Sequence, residues 1–158
     1  MIKLVPMSEM DYKLFLDTSI QTYAKEKVAA GNWKAEDAVE KSSQEFQRLL
    51  PEGKETDSHS LYTIVVKATE EKVGSLWVKK DTKQKEAFIY EFNIHDDKQG
   101  KGFGTEAINV LERILMKQGI SGLSLHVFAH NKQAIRLYER LGFETTNINM
   151  KKRLLDRQ

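Results

Sequence analysis

The sequence predicts a mixed α/β domain with the element order β-α-α-β-β-β-α-β-α-β, an antiparallel meander followed by crossover units. Three observations carry that prediction. Residues 86–95 (EAFIYEFNIH) alternate, with Phe88, Tyr90, Phe92 and Ile94 on one side and Ile89, Glu91 and Asn93 on the other, a strand-like period of two. A glycine-rich turn follows, Gln99-Gly100-Lys101-Gly102-Phe103-Gly104-Thr105. Phe103, Ala107, Ile108, Leu111, Ile114, Leu115 and Gln118 then recur at three- and four-residue steps, which makes one face of a packed helix.

The remaining elements follow in chain order. Residues 2–5 (IKLV) read as a short strand closed by Pro6. Ser8, with Asp11 three residues on, resembles a capping pair and opens a helix to about residue 29. Its inward residues are Tyr12, Leu16, Ile20, Tyr23 and Ala24, and Gly31-Asn32 breaks it. A second helix over 34–50 shows the stripe Ala35, Ala38, Val39, Ser42, Phe46, Leu49 and Leu50, and Pro51-Glu52-Gly53 ends it. Strands at 60–68 and 72–80 join through a turn at 69–71, and the charged loop 81–85 leads to the alternating strand. After the glycine turn and its helix come a turn at 119–122, a strand at 123–128, a helix at 131–141 and a returning strand at 143–154.

At 158 residues the chain is most simply one domain, 1–158, with enough length to bury a core. It carries 25 Lys+Arg against 23 Asp+Glu, mixed along the sequence, so no basic stripe argues for nucleic acid. There are no cysteines, which removes disulfides, thiolate metal sites and a cysteine acyl-enzyme; no metal is expected. The start lacks the apolar run of roughly 7–15 residues that a secretory signal needs. Nothing approaches the roughly 18 consecutive apolar residues of a membrane span. The default expectation is a cytoplasmic protein without a membrane or nucleic-acid partner.

Glycines at a strand-to-helix turn bring backbone N–H groups close to a ligand, and the helix start adds unpaired donors and the positive end of its dipole. An anion such as a pyrophosphate suits that place. The spacing excludes two common phosphate loops. For G-x-G-x-x-G the third glycine would fall on Thr105, and no Gly-Lys-Ser/Thr occurs for a Walker loop. Gln99, Gly102 and Gly104 instead fill Q/R-x-x-G-x-G/A. This resembles the coenzyme A loop of the GNAT superfamily of N-acetyltransferases. Thirty-two residues past Gln99 begins Asn131-Lys132-Gln133-Ala134-Ile135-Arg136-Leu137-Tyr138-Glu139-Arg140-Leu141-Gly142-Phe143. It is similar to that family's closing pattern, N-x-x-A-x-x-x-Y-x-x-x-G-F, at every fixed position. The segment also has a physical reading of its own. Asn131 can cap a helix, Ala134, Leu137, Tyr138 and Leu141 form an apolar face, and Gly142 suits a left-handed residue past the helix end, with Phe143 folding back.

The resemblance implies a GNAT-like fold of six to seven strands and four helices, in which the fourth and fifth strands splay. It implies acetyl-CoA as co-substrate, with the pyrophosphate on Gln99, Gly100, Lys101, Gly102, Phe103, Gly104 and Thr105. Backbone groups of Phe92, Asn93 and Ile94 would pair with the pantetheine arm. By the same resemblance Tyr138 is the proton donor to the departing thiolate, and Asn131 either contacts the cofactor or orders the helix start. The first 60 residues carry no motif and in that family mostly shape the acceptor site. Two departures are Gly100-Lys101, where paired basic residues are frequent, and Thr105 after the last glycine.

An amine acceptor must lose protons before attack. A lysine-like amine of pKa about 10.4 is neutral in only about one molecule per thousand near pH 7.4. Glu91, in the strand two residues before Asn93, is the first choice of base, with His126 and His95 behind it. Strand parity leaves the facing of Glu91 open, because a bulge, which this strand has in family members, would flip the faces beyond it. Direct attack is favoured over an acyl-enzyme. The expected activity is therefore acetyl transfer from acetyl-CoA to a primary amine: a small amine, an amino acid or a protein amino group. The alternative is a non-catalytic acyl-CoA sensor, and a further rival is a protein-interaction domain without a cofactor. An exposed final strand would offer an edge for a homodimer.

Overall fold

The computed structural model describes residues 1–155. Its elements are β1 (Ile2–Pro6), α1 (Glu9–Ala29), α2 (Ala38–Leu49), β2 (His59–Val66), β3 (Lys72–Asp81), β4 (Glu86–Ile94), α3 (Phe103–Lys117), β5 (Gly122–Leu125) and α4 (Lys132–Arg140). One sheet runs in the order β1-β2-β3-β4-β5. The first four strands are antiparallel neighbours, and β5 lies parallel to β4. That reversal of direction is what the α3 crossover is for.

Two apolar clusters flank the sheet. On one face Val73, Leu76, Val78, Ala87 and Ile89 pack with Ala107, Ile108, Leu111 and Leu115 of α3. On the other, Trp77 and Leu61 pack with Phe15 of α1 and Phe46 and Leu50 at α2. The expected α1 stripe is the correct one but too narrow. Tyr12, Leu16, Ile20 and Tyr23 are half-buried against this cluster, while Phe15, Ser19 and Ala24 are fully buried.

The Ser8 hydroxyl accepts the Asp11 N–H at 3.1 Å, as a cap should. Asp11 does not return the bond; its carboxylate takes Lys72 Nζ at 2.9 Å instead. The second helix is shorter than its apolar stripe suggested, with a 3-10 turn at Ala35–Asp37 preceding it. Ala35 and Val39 are exposed.

Three expectations about the sheet fail. Residues 143–154 form no strand: they are exposed beyond Phe143 and join no ladder among the described residues. Among the described residues the sheet therefore has five strands, not six to seven, and no final edge strand. The fifth strand stops at Leu125 rather than residue 128, because its only ladder is to β4 and that ladder ends there. The faces of β4 also differ from simple alternation. Trp77 stands opposite Glu91 and Val78 opposite Ile89, so Tyr90 is a bulge residue without a partner. The extra residue puts Ile89, Phe92 and Ile94 on the α3 side together. Tyr90 stacks on Trp77 and meets Phe88 edge-on, on the α1/α2 side.

Candidate active site

The glycine loop begins at a 3-10 turn, Asp96–Lys98. Gln99 turns back, and its Nε2 donates to the Ile94 carbonyl at 3.0 Å, tying the loop to the end of β4. Gly100 and Gly102 are left-handed, with φ of +79° and +82°, and a Cβ at either would meet nothing within 4 Å. Conformation, not crowding, calls for glycine there, and the space in front of both is open. Gly102 is the N-cap of α3 and no side chain caps the helix. The bond from the Glu106 N–H to the Gly102 carbonyl, 3.1 Å, is the first to close a turn. The N–H groups of Phe103, Gly104 and Thr105 precede any helical acceptor. Lys101 and Thr105 are exposed beside them. Gly104 packs on β4, since a Cβ there would lie 3.5 Å from the Phe92 ring and 3.7 Å from Ile94.

The strand that receives this loop is unpaired on one edge. The parallel ladder runs from Glu86↔Gly122 to Ile89↔Leu125 and no further, so β4 and the chain after β5 part at the Tyr90 bulge. The His95 N–H donates to the Val73 carbonyl at 2.8 Å. In an antiparallel ladder such bonds alternate along the strand. The backbone of Phe92 and Ile94 is therefore turned to the open edge, and that of Asn93 to β3. The bond from Gln99 to the Ile94 carbonyl agrees. Among the three expected backbone partners, Asn93 is thus the one facing the wrong way.

Glu91 projects on the Trp77 side of the sheet, towards α1. Burial raises its pKa from 4.5 to about 7, the nearby Ser19 hydroxyl works against that rise, and the charge of Glu26 adds to it. Tyr138 comes from α4 and lies against Phe92, ring centroids 6.4 Å apart, and edge-on to Phe143 at 5.7 Å. Burial, with Glu26 again adding, pushes its phenol up to about 12. Phe92 therefore joins three of the expected parts: the loop through Gly104, the strand itself, and Tyr138.

Asn131 is the N-cap of α4, its Oδ1 accepting the Ala134 N–H at 3.3 Å. At the other end the Gly142 N–H reaches the Glu139 carbonyl and the Phe143 N–H the Tyr138 carbonyl, 3.1 and 3.0 Å, a Schellman closure that seats Phe143 on Tyr138.

The two histidines stand apart from this arrangement. His126 is exposed, edge-on to Phe128, and partial burial with Lys27 nearby lowers its pKa. His95 is exposed at the start of the 3-10 turn. No hydrogen bond links either side chain to Glu91 among the described residues.

Sequence reasoning missed Glu26. It is half-buried on α1, its carboxyl raised by burial and drawn back by His130, and it acts on both Glu91 and Tyr138. The signal was present: Ser19, Tyr23 and Glu26 follow one another at four and three residues, a single helix stripe. Tyr23 of that stripe contacts Phe128 at 6.3 Å, where the chain continues beyond β5. Among the described residues no group of His, Asp and Glu could hold a metal, and no helix is long and apolar enough to cross a membrane.

Comparison with known proteins adds the following. The model of the acetyltransferase (GNAT) family matches residues 27–143. The chain is 41% identical to the uncharacterized N-acetyltransferase YycN of Bacillus subtilis over 97% of its own length and 99% of that protein. A crystal structure of YycN covers 99% of the chain, and the chain 100% of it, with a TM-score of 0.94. A second Bacillus subtilis protein, the uncharacterized N-acetyltransferase YdgE, is 37% identical over 94% of this chain and 95% of its own. The PaiA N-acetyltransferase of Thermoplasma acidophilum, solved in complex with coenzyme A, shares the fold at 18% identity. Its TM-score is 0.67, with 94% of this chain and 93% of that one covered.

Proposed function

The chain belongs to the acetyltransferase (GNAT) family of acetyl-CoA-dependent N-acetyltransferases, and we propose that it hands the acetyl group directly to a primary amine, with Glu91 as base and Tyr138 as acid. The observation that carries this reading is the convergence on Phe92. Uncapped N–H groups of a helix start, an unpaired strand edge and a half-buried tyrosine meet there.

The residues present fit coenzyme A. The N–H groups of Phe103, Gly104 and Thr105, with Lys101 and the open space before Gly100 and Gly102, suit its pyrophosphate. The outward backbone of Phe92 and Ile94 suits the amide groups of its arm, and Asn131 stands two helix turns before Tyr138 on α4. Bound there, acetyl-CoA would supply a thioester open to attack by an amine, with coenzyme A as the leaving thiol. Glu91, ionised above about pH 7, takes a proton from the acceptor's ammonium group, directly or through water. Tyr138, with its pKa at about 12, keeps its phenolic proton at neutral pH and gives it to the departing sulfur. Glu26 adds negative charge on the α1 side, which favours a cationic acceptor over an anionic one. Small amines, amino acids and protein amino groups all fit that description.

Calorimetric titration with acetyl-CoA and CoA, with ATP and NADH as controls, tests the cofactor assignment. Micromolar binding of the CoA species alone, lost in Gly102→Glu, is expected. An amine panel read by release of free thiol then tests transfer, and the protein's own lack of cysteine leaves that signal clean. A folded protein that binds neither CoA species, or binds both yet acetylates no amine, would overturn the proposal.

A further inference from the structure

Helices α1 and α2 cover only part of the sheet face on which Glu91 lies. Trp77, 2% exposed, is enclosed there by Phe15, Phe46 and Tyr90. Beyond Trp77 the same face carries Phe88 and Tyr90 of β4, and the parallel register sets Ser124 of β5 beside Phe88. This part of the face is open. Tyr90 is 36% exposed, Ser124 is exposed, and Phe88 is half-buried and belongs to neither apolar cluster. Past β5 the chain adds a rim: His126 is edge-on to Phe128 at 4.9 Å, and Phe128 meets Tyr23 of α1 at 6.3 Å. Aromatic side chains grouped on an open surface mark a place where something docks.

The rings of this floor are set across one another. Tyr90 lies nearly flat on Trp77, centroids 4.6 Å apart at 21°, and Phe88 meets Tyr90 at 4.8 Å and 71°. A ring entering beside them finds a face and an edge, the two arrangements that aromatic pairs prefer. The bulge fixes where such a ring stands relative to the chemistry. Because Tyr90 is the extra residue, it and Glu91 project to one side of the sheet although they are neighbours in sequence. Neighbouring Cα atoms stand about 3.8 Å apart, so a group resting on Tyr90 is a short alkyl link from an amine at Glu91.

We propose that Phe88 and Tyr90 form the floor for the acceptor's body, and that the acceptor is an arylalkylamine: a planar ring joined to a primary amine by a short saturated chain. This rests on the reading of Glu91 as the base that receives the amine. Transfer joins the amine nitrogen to the acetyl carbon and breaks the carbon–sulfur bond. Of the two protons the ammonium group gives up, one ends on the sulfur and one in solvent. A saturated body of equal size buries similar apolar area on the floor but lacks the ring-to-ring contacts, and that difference is the signature of the site.

Phenethylamine and cyclohexylethylamine share their size and link, and are compared as acceptors by release of free thiol. kcat/KM is expected to favour phenethylamine roughly 2- to 10-fold. Phe88→Leu and Tyr90→Leu, made separately, should each bring that ratio close to one, and acetyl-CoA affinity shows that each variant has folded. Calorimetric titration of both amines into the CoA-saturated protein reads the same preference without turnover. If no amine is acetylated, the transfer reading fails and the binding ratio alone decides whether the floor selects rings. A ratio near one in the unaltered chain, by turnover or, failing turnover, by binding, overturns the proposal. So does a ratio that persists in both variants.

Discussion

Glu91 stands opposite Trp77 across the β3–β4 ladder, and that pairing fixes on which side of the sheet the carboxylate lies. Without the Tyr90 bulge one step earlier, Glu91 would share a face with Ile89 and the α3 core. With it, Glu91 faces Ser19 and Glu26 of α1, on the side the motif-free N-terminal half covers.

Glu91 as base predicts a specific pH profile. Its carboxyl has a pKa of about 7, and the ionised form is the active one, so kcat/KM should rise with an apparent pKa near that value. Glu91→Gln should lower kcat roughly 10²-fold or more and abolish that limb. A Gln variant that keeps the limb assigns it to another group.

The same carboxyl makes stability depend on pH. Its folded pKa lies above its ordinary value of 4.5, so the folded state holds the proton more tightly than the unfolded chain. This contribution is fully present below about pH 4.5 and is lost as pH rises through about 7. Glu91→Gln should therefore be more stable than the unaltered chain at pH 8.5, by something on the order of 3 kcal/mol, and not at pH 4. Urea denaturation at the two pH values checks the sign.

Tyr138→Phe keeps the ring that packs between Phe92 and Phe143 and removes only the hydroxyl. The melting temperature and acetyl-CoA affinity should hold while kcat falls about 10²–10⁴-fold. Equal loss of affinity would show that the hydroxyl serves binding rather than proton transfer.

Gly74 is needed because a Cβ there would lie 2.1 Å from the Asn93 carbonyl oxygen. Gly74→Ala must push the end of β4 outward, into the edge where Phe92 and Ile94 present their backbone. It should cost about 1–3 kcal/mol of stability and weaken acetyl-CoA binding, both measurable by denaturation and calorimetry. A variant as stable and as tight as the parent would place the end of β4 elsewhere.

The parts legible in the sequence are those that a few consecutive residues decide. Gly100 and Gly102 adopt a left-handed backbone that glycine takes without strain. Asn131 caps its helix, and Gly142 closes it with Phe143 folded onto Tyr138. Each depends on dihedral angles and hydrogen bonds within about one helix turn, and the sequence specifies those locally. The strand at 86–94, the helix after the loop and the order of the elements as far as α4 were legible from equally local periodicity.

What only the tertiary structure decided involves partners far apart in the chain. The bulge at Tyr90 exists because β4 is registered against β3 at Trp77 and Val78, and no alternation within residues 86–95 encodes that. Glu26 enters the site because α1 lies across the sheet beside Glu91, some sixty-five residues on in the sequence. The tail reads as a strand by its own pattern but lacks one in the single chain, since a strand is a relation between two segments and not a property of one. Local chemistry is written residue by residue; the facing of a carboxylate and the pairing of an edge are settled where distant segments meet.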